Sequence, residues 1–163
     1  MHNSDEVRDE VDGIVAAWGR ERTDFNPEPL SVFSRLLRLD RHIDRMRRQT
    51  FATYGIESWE FEMLAALRRQ GKPYRLTAGR LVQETLVSSG TVTNRIDRMV
   101  THGYAERHPD PKDRRVVHVQ ATQRGVDIVD AAMSDLLDAE QRQLEDMPVR
   151  NQKELADLLR QLL

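Results

Sequence analysis

LVSSGTVTNRIDRMVTHGYAERHPDPKDRRVVHVQATQRG, residues 86–125, gives the clearest indication of how this chain folds. It opens with a helical run that Gly103 ends. Two short β-prone runs follow at 104–107 and 115–121, on either side of a tip at 109–114 that contains proline and aspartate. The stretch therefore predicts a helix followed by a β-hairpin that lies beside it as a wing.

The predicted helix has two distinct sides. At about 100° per residue, Val92, Ile96 and Met99 fall together, which predicts the buried side. The opposite side carries short polar groups and one arginine: Gly90, Thr91, Asn94, Arg98 and Thr101. Asparagine bonds adenine, arginine bonds guanine, and a threonine methyl contacts thymine. Ser88 or Ser89 caps the helix, and both would hold a phosphate at its amide-rich start. This pattern favours a DNA-reading helix over an ordinary solvated one.

The hairpin tip is basic. Lys112, Arg114 and Arg115 lie beside Asp110 and Asp113, so an aspartate is expected to orient one arginine while another reaches DNA. A narrow minor groove favours arginine because its negative potential is enhanced. A solvated turn with local ion pairs is the alternative.

Upstream, Ser58 is the predicted N-cap of one helix and Thr77 of a second, shorter one. This shorter helix and the 88–102 helix, separated by a tight turn, make a helix-turn-helix. Thr122 opens a long helix that extends to about Asp146. The predicted fold is mainly α with a small β-hairpin wing, a winged helix-turn-helix over residues 58–121.

Apolar residues at helical spacing predict further helices on both sides of this core. They are an extra N-terminal helix at 4–22 and dimerisation helices at 30–53 and 122–163. The 163 residues are expected to form a single domain. Because the terminal helices are apolar on one side, the chain is predicted to pair with itself as a homodimer.

Composition restricts the class of protein. Charged residues make up 32% of the chain and there is no cysteine, which excludes disulfides and cysteine-bound zinc. No apolar run suggests a signal peptide or membrane span, so a cytoplasmic protein without a membrane partner is expected. The five histidines show no metal-ligand spacing, and no catalytic motif is present. We expect no metal, no cofactor and no enzymatic activity.

Charge is unevenly distributed although the formal net charge is only −2. No acid occurs between Glu62 and Glu84, where five cations lie: Arg68, Arg69, Lys72, Arg75 and Arg80. This run is a candidate electrostatic footprint for a polyanion, and a solvated helix face is the alternative.

Residues 30–163 resemble the MarR family of bacterial regulators. The resemblance rests on the helix order, the run SSGTVTNRIDRM, the sequence GYAER, and DPKDRR followed by ATQRG. It implies a homodimeric winged helix-turn-helix repressor on a pseudo-palindromic DNA operator, usually released by a small molecule. It also implies that Asp113 orients Arg115, and that Arg114 or Arg115 enters the minor groove.

An extra N-terminal helix is unusual for that family. Together with this helix and its Trp18, the stretch Pro29–Leu39, the run EFEMLAALRR at 60–69 and GKPY at 71–74 resemble a narrower branch, the urate-responsive PecS-type regulators. The resemblance implies that Trp18, Glu62, Arg95 and Arg107 gather around an anionic ligand. Glu62 departs from the aspartate that is usual in the branch. Independently, Arg95 falls beside the buried side of its helix, where a buried arginine needs a partner such as Glu62. The alternative is that Trp18 is a core residue and that Arg95 with Glu62 is a structural ion pair.

The sequence thus predicts a DNA-binding repressor released by urate or a related anion, acting in the bacterial cytoplasm at the nucleoid. A regulator of the same fold that answers a carboxylate such as trans-aconitate, or a phenolic ligand, is one alternative. A structural or interaction dimer that does not bind DNA is another, and it would show no salt-dependent DNA affinity.

Overall fold

A computed structural model describes residues 8–85, 87–113 and 115–163. It separates into two compact units, one ending at Met46 and the other beginning at Arg47. The boundary falls inside helix α2, Pro29–Ala52. The single domain predicted over residues 1–163 stays a prediction.

The first unit contains α1, Glu10–Glu21, and the first part of α2. A capping box begins α1: the Asp9 carboxylate accepts from the Val11 N–H at 2.8 Å, and Asp12 accepts from the Asp9 N–H at 2.8 Å. The predicted start of this helix at residues 4–7 lies outside the described residues.

Arginines of α2 bind the acidic start of α1. Arg35 pairs with Asp9 at 2.9 Å and with Asp12 at 2.8 Å, and Arg38 pairs with Glu10. Arg35 lowers the pKa of the Asp9 carboxyl below its usual value. Because these pairs are well exposed, they orient α1 against α2 more than they stabilise it.

The described residues of the second unit form the end of α2 and eight further elements. These are α3 Ser58–Arg68, β1 Arg75–Thr77, α4 Ala78–Thr85, α5 Ser89–Thr101, β2 Ala105–Pro109, β3 Val117–Ala121, α6 Gln123–Gln143 and α7 Val149–Arg160. The strands form one antiparallel sheet in the order β1-β3-β2, with Arg75 opposite Gln120 and Arg107 opposite Val119. The predicted class, mainly α with a small β wing, is confirmed. The sheet has one strand more than the predicted hairpin.

Three of the predicted helix caps are confirmed, because each hydroxyl accepts from a backbone N–H in the first helical turn. Thr77 accepts from Arg80 at 3.2 Å, Ser88 from Thr91 at 3.3 Å and Thr122 from Gly125 at 3.0 Å.

Two predicted boundaries are wrong. Ser58 is the first residue of α3 and not its cap; the cap is Glu57, whose N–H donates to the Glu60 carboxylate at 2.9 Å. Helix α6 ends at Gln143 rather than near Asp146.

The core of the second unit forms where α3, α5 and α6 meet the sheet. Phe51 stacks on Phe61 with ring centroids 4.2 Å apart. The fully buried side chains of these helices include Met63, Leu64, Leu67, Val92, Ile96, Met99, Val129 and Ala132. The predicted buried side of α5 is therefore confirmed, with Val100 at its partly exposed edge. This packing fixes which side of α5 remains available for other contacts.

Candidate nucleic-acid interface

Helix α5 presents one polar row on the surface of the second unit. Asn94, Arg98 and Thr101 are exposed, as are Gly90 and Thr91 near the start of the helix. Their spacing of three or four residues puts them on one side, opposite the buried side. Such an exposed polar row is suited to contact the edges of bases.

The start of α5 is exposed and already organised. The Ser88 hydroxyl caps the helix and lies 2.9 Å from the Thr91 hydroxyl, while Ser89 is the first helical residue. The Thr93 hydroxyl donates to the Ser89 carbonyl at 3.0 Å, so it supports the first turn. Both serines are exposed, and their contact with a phosphate stays a prediction.

Arg98 is not free in this structure. It pairs with Glu57 at the start of α3, and its guanidinium carbon lies 4.7 Å from the centroid of the Trp59 ring. The Trp59 indole N–H donates to the same carboxylate at 2.9 Å. Sequence reasoning missed Glu57 and Trp59, because they lie about 40 residues before Arg98 and no local pattern joins them.

Arg95 lies on the inner side of α5, as predicted. Its guanidinium is 5.4 Å from the Trp59 ring, and its Nη1 is buried without a hydrogen-bond partner. The expected ion pair with Glu62 is not formed among the described residues. The prediction is wrong because Glu62 lies on the outer side of α3, whereas the carboxylate that α3 buries is Glu60.

Glu60 is 2% exposed and bonds the end of α5. His102, the C-cap of α5, lies with Nδ1 2.7 Å from Glu60 Oε1, and the His102 ring meets Tyr104 edge-on at 5.7 Å. The burial of Glu60 could have been predicted from the sequence, because with Met63, Leu64 and Leu67 it completes a helical stripe at i, i+3, i+4 and i+7. A carboxylate on an apolar stripe needs a partner, and His102 supplies it.

The wing turn is held by Asp110. One carboxylate oxygen accepts from the N–H groups of Lys112 at 2.8 Å and Asp113 at 3.0 Å, and the other lies 2.8 Å from His118 Nε2. The bond to His118, followed by the two amide bonds, lowers the pKa of the Asp110 carboxyl below its usual value. The turn therefore keeps an ionised carboxylate at its base and basic residues at its tip.

At the tip, Asp113 and Arg115 are in contact as the resemblance implies. Asp113 Oδ1 accepts from the Arg115 backbone N–H at 3.0 Å and from its Nε at 3.4 Å. The Arg115 side chain is 92% exposed, and Lys112 is exposed beside it. Arg114 lies outside the described residues.

The predicted ligand residues are divided between the two units. Arg107 bonds Asp97 and the Thr93 carbonyl, so it ties β2 to α5. Trp18 belongs to the first unit, where its ring lies 6.3 Å from that of Phe25 and 47% of the residue is exposed. Their common role in binding an anion stays a prediction.

Glu62 lines a cleft of about 480 Å³ in the second unit. Apolar side chains form one part of its wall and charged side chains another: Phe61, Ala65, Met133 and Leu136, then Arg47, Arg69, Glu84 and Glu140. Arg69 pairs with Glu84, and Arg47 lies 3.6 Å from Glu140. The cleft thus combines an apolar surface with two cations whose partners are carboxylates.

The candidate electrostatic footprint is largely neutralised. Arg68 bonds Asp130 through two nitrogens, at 2.8 and 3.0 Å, and Arg80 pairs with Glu84, as Arg69 does. Lys72 and Arg75 are exposed. Three of the five cations of the candidate footprint are therefore paired, two with Glu84, which ends the acid-free run, and one with Asp130, 62 residues further along the chain.

None of the helices in the described part of the chain has the length and apolar character of a membrane span. The same part of the chain holds no group of three or more histidine, aspartate and glutamate side chains arranged for a metal ion.

Comparison with known proteins gives consistent matches. The model described as MarR family matches residues 54–116. The HTH-type transcriptional regulator PecS of Dickeya dadantii is 34% identical over 131 residues, which cover 80% of this chain and 79% of PecS. The multiple antibiotic resistance protein MarR of Salmonella typhimurium is 31% identical over 85 residues, 52% of this chain and 57% of MarR.

Solved structures share the fold. A mutant MarR from E. coli, complexed with operator DNA, matches with a TM-score of 0.70 and 26% identity over 80% of this chain and 92% of its own. AbsC, a MarR family transcriptional regulator from Streptomyces coelicolor, matches with a TM-score of 0.73 and 18% identity, covering 81% and 89% of the two chains. The three-stranded sheet and the α4–α5 pair of this chain therefore form a winged helix-turn-helix.

Proposed function

The chain belongs to the MarR family of transcriptional regulators, and from this we infer that it is a repressor that binds a double-stranded DNA operator as a homodimer. The observation that carries the inference is the exposed row of Asn94, Arg98 and Thr101 on α5, beside a wing with an almost fully exposed Arg115. The helix is suited to the major groove and the wing arginine to the minor groove. The protein would act in the bacterial cytoplasm by binding rather than by catalysis.

A homodimer is supported by apolar side chains that remain exposed on two helices. In α2, Phe33 is 56% exposed and Leu37 61% exposed. Helix α7 buries none of its residues, and Leu158 and Leu155 on its apolar side are 53% and 38% exposed. Amphipathic helices with an uncovered apolar side need a partner surface. A second copy of the chain would present the same surfaces, as a two-fold axis requires.

One experiment tests DNA binding and dimerisation together. Duplexes selected by the protein from a randomised library are expected to share a pseudo-palindromic sequence, and sedimentation of the complex should give two chains per duplex. The affinity for DNA should fall as the salt concentration rises, because the lysine and arginine side chains of the protein displace counterions from the phosphates when they bind. If no duplex is selected and a stable dimer forms with no salt-dependent DNA affinity, the protein is instead a structural or interaction dimer.

We also propose that an anionic small molecule, urate or a related compound, releases the DNA. Glu62 lies in a cleft with Arg47 and Arg69, and Arg95 carries a buried nitrogen without a partner. An anion can compete with Glu140 and Glu84 for the first two arginines. Trp18, Arg95 and Arg107 enter this proposal through the resemblance to PecS-type regulators.

Titrating urate into the complex of protein and selected duplex is expected to release the DNA in a saturable manner. Arg95→Ala and Trp18→Phe should raise the urate concentration that is needed. Glu62→Asp, which restores the aspartate usual in that branch, should lower the urate concentration needed for release. Glu145→Gln, outside the cleft, is the control and should leave that concentration unchanged. No release at millimolar urate would contradict the proposal; release by trans-aconitate or a phenol in the same assay would identify the alternative ligand class.

A further inference from the structure

The guanidinium of Arg98 is held from two directions by the start of α3. Glu57 Oε1 accepts from Arg98 Nη2 at 2.5 Å, and the face of the Trp59 ring lies 4.7 Å from the guanidinium carbon. Glu57 Oε2 accepts from the Trp59 indole N–H at 2.9 Å. Both carboxylate oxygens are thus engaged, so carboxylate, indole and guanidinium restrict one another's rotation.

This cluster lies on the surface, where DNA can reach it. The side chain of Glu57 is 58% exposed and that of Arg98 is 52% exposed. The hydrogen bond from Arg98, followed by that from Trp59, lowers the pKa of the Glu57 carboxyl. The carboxylate therefore stays ionised at neutral pH, which keeps a negative charge next to the polar row of α5.

A negative charge at this place is unexpected in a protein that binds a polyanion, because it weakens attraction to every DNA sequence. A free arginine beside DNA bonds any phosphate within reach. An arginine whose planar group is already fixed loses less conformational freedom when it bonds one base, and its fork matches guanine in only one orientation. Fixing Arg98 therefore favours discrimination between sequences over general affinity.

We propose that Glu57 and Trp59 are specificity-determining positioning residues, which orient Arg98 towards one guanine of the operator and withhold it from phosphates. The proposal rests on the DNA-binding function proposed above. Neither residue needs to touch a base, since each acts through the guanidinium of Arg98.

The proposal separates two quantities that a merely structural role would change together. Releasing Arg98 and removing one negative charge per chain should raise the affinity for an unrelated duplex. The ratio of operator to unrelated affinity should fall on the order of tenfold, within the range for losing one good arginine–guanine contact. Gln in place of Glu57 keeps the size of the side chain and its bond to Trp59, so the fold should be retained.

The test measures the affinities of the full-length protein for its selected duplex and for every single-base-pair variant of that duplex. Arg98→Ala is expected to abolish discrimination at one base pair in each half-site. Glu57→Gln and Trp59→Leu should reduce discrimination at that same base pair. The double variant Glu57→Gln with Arg98→Ala should discriminate no less than Arg98→Ala alone, because both changes act through one contact. Asp130→Asn, which breaks the similarly exposed ion pair with Arg68, is the matched control.

The outcomes distinguish this proposal from the proposed function. Unchanged discrimination by Glu57→Gln, or an equal loss at all base pairs, overturns the positioning role while DNA binding stands. The same conclusion follows if Arg98→Ala discriminates like the unaltered protein. Failure of the unaltered protein to select any duplex overturns both. Higher affinity of Glu57→Gln for unrelated DNA, together with lost discrimination at the Arg98 base pair, supports the proposal and shows that the variant is folded.

Discussion

Replacing Gly125 by alanine is expected to destabilise the protein by about 3 kcal/mol, because the new methyl group has no space. A Cβ at this position would lie 2.2 Å from the Tyr104 carbonyl oxygen and 3.0 Å from Leu64 Cδ2. The carbonyl cannot easily move, since it accepts from the Thr122 N–H at 3.0 Å. Thr122 in turn caps α6, so relief of the clash would disturb the junction between α5, the sheet and α6.

Urea unfolding of Gly125→Ala and the unaltered protein measures this loss, and DNA affinity should fall with it because the wing and α5 meet at this junction. Gly79→Ala is the matched control, since its added Cβ would meet no atom within 4 Å apart from its chain neighbours and the backbone of its own helix. The control substitution should leave the free energy of unfolding unchanged or raise it by up to about 1 kcal/mol. If Gly125→Ala were as stable as the control, the prediction would be contradicted, because the backbone at Tyr104 would then move to accommodate the methyl group at little cost.

Replacing Arg115 by alanine is expected to weaken operator binding on the order of tenfold, because each chain of the proposed dimer loses one cation at the DNA surface. The side chain is 92% exposed at the wing tip, and Asp113 holds its backbone and Nε. The slope of log affinity against log salt should decrease by about one for each lost contact. Asp113→Asn should also weaken operator binding, but less than Arg115→Ala does, since it loosens the arginine without removing it.

Affinities measured over a series of salt concentrations test this expectation. Arg115→Lys keeps the charge and loses the planar fork, so it should restore the salt slope and only part of the affinity. Arg142→Ala, in the last turn of α6, controls for the loss of a surface charge. Equal affinity and slope for Arg115→Ala and the unaltered protein would exclude the wing arginine from the interface.

Much of the fold follows from local sequence. The buried side of α5 is correctly predicted from Val92, Ile96 and Met99, and the Thr77, Ser88 and Thr122 caps form as expected. Strand β1 escapes prediction because three residues show no periodicity, and it exists only through its pairing with β3. Ser58 fails as a cap because the N–H groups of Glu60 and Phe61, which its hydroxyl would accept from, donate to the Glu57 carbonyl instead.

The candidate site was accessible to prediction only in part. Asn94 and Arg98 are on the exposed side that helical geometry gives them, and the contact of Asp113 with Arg115 joins neighbours in sequence. The partners of the arginines lie far away: Glu57 is 41 residues from Arg98. The wrong pairing of Arg95 with Glu62 has the same origin, because a suitable charge in the sequence does not reveal which side of α3 it occupies.

The winged helix-turn-helix, the exposed polar side of α5 and the basic residues of the wing can be predicted from the sequence, since caps, turns and helical periodicity depend on residues a few positions apart. Which charges are free and which are paired emerges only from the folded chain. Arg98 is held by Glu57 and Trp59, and Glu60 is buried against His102. The physical reason is that an ion pair forms where packing brings two side chains within a few ångströms, and packing joins helices that are distant along the chain.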